Sequence, residues 1–143
     1  MAQQKISMSF EFDATCAKVF EDLGDHENFG KICGINAKRI KDGDDALNGL
    51  GSVRRMKIGP LPGFEETITE YEQDRLIVYK ITKGSPIKNH MGRMEFSEKD
   101  GKSQLHYDIV LESKIPGTTG IIKAALERGI TQGIEGYAKA LKA

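Results

Sequence analysis

Over residues 5–13 the apolar positions Ile6, Met8, Phe10 and Phe12 alternate with Ser7, Ser9 and Glu11, the period of a strand with one buried face. The spacing then lengthens. Cys16, Val19, Phe20 and Leu23 make one side of a short helix that Thr15 can cap and Gly24 can end. Asp25 can cap a second short helix, with Glu27 in its first turn, Phe29, Ile32 and Cys33 as its apolar side and Gly34 after it. Strand patterns return over residues 37–41, 52–58, 64–71, 75–82, 88–97 and 103–113. The connections are turn chemistry: a polar loop over 42–51, Gly59-Pro60-Leu61-Pro62-Gly63, Glu72-Gln73-Asp74, Lys83-Gly84-Ser85-Pro86-Ile87 and Asp100-Gly101. Asp-Gly between alternating runs is the strongest hairpin signal of the set, and short links between consecutive strands predict an antiparallel meander.

After Pro116-Gly117 the period becomes helical, with Ile121, Ile122, Ala125, Leu126, Ile130, Ile134, Tyr137, Ala138 and Leu141 on one broad stripe. A Thr118 or Thr119 cap gives a helix of about 22 residues, roughly 33 Å long. Ile122, Leu126, Ile130 and Ile134 are expected to be buried. The order is strand, two short helices, six strands and one long helix. It predicts an α+β domain in which a seven-stranded antiparallel sheet has one face to cover and the terminal helix is the element long enough to cover it. No repeat, linker or low-complexity segment divides residues 1–143, so a single domain is expected.

Composition narrows the function classes. The 143 residues carry 21 basic and 21 acidic side chains with no block of like charge, so no electrostatic footprint for nucleic acid or an anionic membrane is expected. Nor does an apolar run approach the roughly 18 residues of a membrane span, and the polar start over residues 1–4 leads straight into the first strand, which makes the cytoplasm the expected location. Cys16 and Cys33 lack redox or zinc spacing and read as reduced, packed thiols. His26, His90 and His106 sit on separate elements without paired spacing, so no metal is expected. Nucleophile elbows, calcium loops and glycine-rich phosphate loops are missing from the sequence, which leaves enzyme activity without a motif and implies no cofactor.

Several strings in order carry a resemblance: Asp13-Ala14-Thr15 leading to Val19-Phe20, Asp25-His26-Glu27, Gly51-Ser52-Val53-Arg54-Arg55, Glu66 within the 64–71 strand, and Val78-Tyr79-Lys80-Ile81 before Gly84-Ser85-Pro86. Together with the element order they resemble the START-related SRPBCC superfamily over nearly the whole chain. That resemblance implies a helix-grip fold enclosing a cavity, and the functions found in the group: polyketide cyclisation, lipid transfer and ligand binding. Two aromatic positions differ from many relatives, with Phe29-Gly30 and Tyr107 standing where tryptophans are frequent.

On this reading the cavity wall is Phe20, Phe29, Ile32, Met56, Tyr79, Tyr107, Ile122 and Leu126, with a polar set of Arg54, Glu66, Tyr79, His90 and Tyr107. Tyr79 and Tyr107 are flanked at period two by Ile77, Ile81, Leu105 and Ile109, so both should point inward and offer an apolar ring with one polar handle. The plain alternative for Arg54 is a solvated strand face, and for Glu66 a cross-strand pair. Leu61, Pro62, Pro86 and Ile87 in two loops at one end of the meander are candidate gates, with Leu61 and Ile87 near the loop tips, and these loops resemble the gate and latch of plant hormone receptors in the superfamily. Gly129, Gly133 and Gly136 interrupt the long helix at about 1 kcal/mol each, either for close packing or to leave ligand volume. The expected partner is a small apolar or aromatic molecule bound by a monomer or homodimer. A cyclase-like enzyme and an interaction protein with a vestigial cavity are the alternatives.

Overall fold

A computed structural model describes residues 3–57, 62–84, 87–115 and 117–142. The elements are β1 (Gln4–Phe12), α1 (Cys16–Gly24), α2 (His26–Cys33), β2 (Asn36–Lys41), β3 (Val53–Lys57), β4 (Phe64–Glu72), β5 (Leu76–Lys83), β6 (Ile87–Lys99), β7 (Lys102–Ser113) and α3 (Thr119–Lys142). One seven-stranded sheet has the order β1-β7-β6-β5-β4-β3-β2, and every neighbouring pair is antiparallel. The α+β architecture expected from the pattern, and the helix-grip arrangement that the resemblance implies, are the ones observed.

Local chemistry sets the joints. Thr15 Oγ1 accepts the Lys18 N–H at 3.3 Å and Asp25 Oδ1 accepts the Asn28 N–H at 2.9 Å, capping α1 and α2 as their sequences predict. Gly34 ends α2 in the left-handed conformation at φ 71°. Asp100 and Gly101 both have positive φ, 55° and 78°, as a two-residue hairpin turn of the right-twisting kind requires.

The inner face of the sheet holds the core: Ile6, Met8 and Phe12 of β1, Ile68 of β4, Ile77 and Tyr79 of β5, Met94 and Phe96 of β6, and Leu105, Tyr107, Ile109 and Leu111 of β7. Helix α3 rests on β1, β7 and α2. This placement corrects the expected helix face. Ile130 and Ile134 are buried, but Ile122 and Leu126 are only half-buried, Ala125 is exposed and Ile121 is 71% exposed. A helix turns about 100° per residue, so with Ile130 and Ile134 buried in the core, Ile121 is carried round to the solvent side.

Gly133 explains how closely α3 approaches α2: a Cβ there would overlap the Ile32 carbonyl oxygen and lie 2.8 Å from Cys33 Cα. Close packing is therefore the reason for this glycine. Gly129 has only an ordinary contact, and Gly136 faces open space.

Candidate functional site

The inner face of β3 to β7 is not uniformly apolar. Alternation along β3 turns Arg54 and Met56 inward and leaves Arg55 exposed. Arg54 stands directly opposite Glu66 on β4, and the two form a buried ion pair, Nη2 to Oε1 2.6 Å and Nε to Oε1 2.8 Å. Of the two expectations for Arg54, the solvated face is thus wrong, because strand parity puts Arg55 on that side.

A β-bulge decides the next residue. In β6 the register with β7 shifts between Lys88 and Met91, with Asn89 at a positive φ of 52°. The extra residue resets the alternation, so Ile87 and His90 both point inward although their numbers differ in parity. Ile87 is therefore the first residue of β6 with its side chain buried, rather than a residue near a loop tip. Pairing of β5 with β6 runs only from Leu76 to Tyr79, and beyond it the Ile81 N–H donates to His90 Nδ1 at 3.3 Å. A neutral ring that accepts at Nδ1 carries its proton on Nε2, which faces Glu66 Oε2 at 3.9 Å.

Tyr79 lies beneath the Arg54 guanidinium, 4.5 Å from ring centroid to Cζ, and its hydroxyl is hydrogen-bonded to that of Tyr107 on β7. The Phe29 ring of α2 takes the same guanidinium at 5.4 Å. Five polar side chains from five adjacent strands thus meet in the core.

Their protonation follows from burial. Burial opposes the charge on Arg54, but Glu66, Tyr79 and Tyr107 outweigh it and hold its pKa above the ordinary arginine value. Burial raises the Tyr79 phenol, with Glu66 adding to the shift, and raises the Tyr107 phenol, with Tyr79 adding. His90 is lowered by burial, against the pull of Glu66 and with Arg54 contributing. Near neutrality the cluster therefore presents an Arg54 cation paired with Glu66, two intact phenols and a neutral imidazole. Such a set can orient one polar group of a molecule that is otherwise held by apolar walls.

These residues face a shared hollow of about 30 Å³, room for about two waters. Of the residues expected in the wall, Phe29, Arg54, Met56, Glu66, Tyr79, His90, Tyr107 and Leu126 line it. Phe20 lies apart, packed on Tyr71 and Phe96 with ring centroids 5.5 and 5.1 Å away. Ile32 and Ile122 pack on the core without reaching the hollow. The sequence reading missed Ile35, Phe64, Ile81, Ile109 and Ile130 as lining residues; the inward parity of Ile81 and Ile109, shared with Tyr79 and Tyr107, was the signal for two of them. Ile87, expected as a gate, belongs to the wall. Pro62 is exposed, and Leu61 and Pro86 lie outside the described residues. The ends of the two candidate gate loops are neighbours: a Cβ on Gly84 would stand 3.1 Å from the Gly63 carbonyl oxygen.

His26 is more deeply placed than a local helix-start contact would require. It is 1% exposed, its Nε2 is 2.8 Å from Ser52 Oγ, and among the described residues its Nδ1 has no partner. Burial, reinforced by Arg54 and Arg39, lowers its pKa to about 3. His106 is on the outer face, as alternation predicts. Among the described residues no three His, Cys, Asp or Glu side chains are grouped to hold a metal ion, and no helix is long and apolar enough to cross a membrane.

The sequence pattern that defines the family described as polyketide cyclase / dehydrase and lipid transport matches residues 3–142. The chain belongs to this family. No curated protein matches the chain. Among solved structures, a START superfamily protein from Mycobacterium smegmatis superposes with a TM-score of 0.79 at 15% identity, over 96% of this chain and 98% of that one. The Zhui aromatase/cyclase from Streptomyces sp. R1128 superposes with a TM-score of 0.77 at 16% identity, over 96% of this chain and 94% of that one. The Aha1 dimer from Colwellia psychrerythraea gives 0.69 at 11% identity, over 96% of both chains. At these identities the likeness is one of fold, and a shared fold does not by itself fix what a protein does.

Proposed function

We propose that this protein binds a small hydrophobic or aromatic molecule between the sheet and α3, with one polar group of that molecule held by the Arg54–Glu66 pair, His90 and the Tyr79–Tyr107 hydroxyls. The observation that carries this reading is the convergence of five buried polar side chains on one hollow. A buried ion pair can often be replaced by packed apolar residues with no loss of stability or with a gain, so a core that keeps such a pair beside two phenols and an imidazole is built for something besides stability. Apolar walls with a few convergent polar groups are the composition of a ligand site.

Binding requires the hollow to grow. The wall best able to yield is the first half of α3, where Leu126 is half-buried. On this reading the protein acts in the cytoplasm as a monomer or homodimer.

Two alternatives have an observation each. A cyclase-like enzyme would use the neutral His90 held beside Glu66 at 3.9 Å. A vestigial cavity in an interaction protein would account for a hollow of about 30 Å³. Mass spectrometry of the denatured protein, purified from its own cells, should release a stoichiometric apolar compound. Titration calorimetry with naphthalene and 2-naphthol should show saturable binding, with the naphthol bound more tightly. Absence of both a copurifying compound and saturable binding would sink the proposal and favour the vestigial reading.

A further inference from the structure

Gly92 lies in the middle of β6, opposite Tyr79 on β5 and Ile109 on β7. Nothing in its backbone calls for glycine, because it is not among the glycines with positive φ. A glycine inside a strand weakens it and often marks a close approach. Here the approaching group is the Tyr79 ring: a Cβ at position 92 would overlap Cζ and stand 2.5 Å from both Cε1 and Oη. The ring lies in the gap left by the missing side chain, crosses β6, and reaches the Tyr107 hydroxyl on the far strand. From the other side it is covered by the Arg54 guanidinium, and His90 flanks it at 5.5 Å between ring centroids.

We propose that Gly92 is a positioning residue for Tyr79, and that the notch it leaves in β6 sets how far toward the sheet a bound molecule can reach. This rests on the ligand-binding reading above. With the ring seated in the notch, the floor of the hollow is the ring itself and the joined Tyr79–Tyr107 hydroxyls form its polar point. An alanine at 92 lifts the ring toward Arg54 and into the 30 Å³ of free space. The hydroxyl pair parts and the room for a ligand closes from below. A shorter residue at 79 never enters the notch, so the identity of residue 92 then ceases to matter.

The test is a double-mutant cycle, with Gly92→Ala made in the wild type and in Tyr79→Leu and Tyr79→Phe backgrounds. Each variant is followed by denaturant unfolding, by the near-ultraviolet circular dichroism of its tyrosines, which no tryptophan obscures, and by calorimetry with naphthalene. Gly92→Ala should lower the unfolding midpoint, change the tyrosine signal and weaken naphthalene binding about ten-fold or more, the equivalent of about 1.4 kcal/mol. The same losses should appear with Tyr79→Phe, whose ring still fills the notch. With Tyr79→Leu, Gly92→Ala should leave binding unchanged and stability equal or slightly higher, since a strand glycine is then replaced without a clash, and this background keeps the test readable even if Gly92→Ala alone fails to fold. Equal losses in all three backgrounds, or none in any, would overturn the role of Gly92. Naphthalene failing to bind the wild type, with no compound copurifying, would overturn the ligand reading and the depth limit with it, while the stability cycle would still report on the notch.

Discussion

Arg54 Nη2 lies 2.6 Å from Glu66 Oε1 with both side chains almost wholly buried, 5% and 6% exposed. Two charges removed from water in this way stabilise the fold only weakly as a pair, yet each depends strongly on the other.

Glu66→Leu alone should therefore cost about 3–5 kcal/mol, because it strands the guanidinium in the core, whereas Arg54→Met combined with Glu66→Leu should be near neutral or more stable. Urea unfolding measures both. The double variant should keep the fold and lose the preference for 2-naphthol over naphthalene; a double variant as unstable as the single one would show that the pair holds the sheet together.

Acid should weaken the protein through His26. Its pKa falls from about 6.5 in the unfolded chain to about 3 in the fold, so between those values the unfolded chain binds the extra proton. Stability is then complete above the unfolded value and declines as pH drops through that window, by up to about 1.4 kcal/mol per pH unit for one histidine. His90, also lowered, acts in the same sense. Denaturant midpoints measured from pH 7 to pH 4 should fall, and His26→Leu should flatten the slope. An unchanged slope would assign the acid sensitivity to other groups.

The glycines of α3 should separate by environment. Gly133→Ala should destabilise, since its Cβ meets the backbone of α2 at Ile32 and Cys33, which cannot turn aside as a side chain can. Gly136→Ala, whose added Cβ would meet none of the described residues within 4 Å, should stabilise by about 0.5–1 kcal/mol through helix propensity alone. Thermal melts of the two variants should therefore shift in opposite directions.

Along the same helix, Ile134 is fully buried while Leu126 is half-buried at the edge of the hollow. Ile134→Ala should cost within the usual range of about 2–5 kcal/mol, and Leu126→Ala should fall below it because part of its surface already meets solvent or void. Equal losses would mean that α3 closes on the sheet more tightly along its first half than these burials show.

The element order was legible in the sequence because each element announces itself locally. Alternation in β1, the Thr15 and Asp25 caps, Asp100-Gly101 and the 3.6-residue stripe of α3 are all short-range signals, and together they suffice for the order of strands and helices. The inward tyrosines were legible too, since strand parity propagates from Ile77 to Tyr79 and from Leu105 to Tyr107. Three things needed the folded chain. Which side of α3 is buried depends on where the helix lands on β1 and α2, so Ile121 reads as core in the stripe and is exposed in the structure. Ile87 points inward because a bulge shifts the phase of β6, and one inserted residue changes facing without changing composition. The meeting of Arg54, Glu66, Tyr79, His90 and Tyr107 depends on the register of five strands, and the need for glycine at position 92 on a ring carried by a different strand. Such long-range contacts leave no mark on the residues next to them in sequence, and only tertiary packing brings them together.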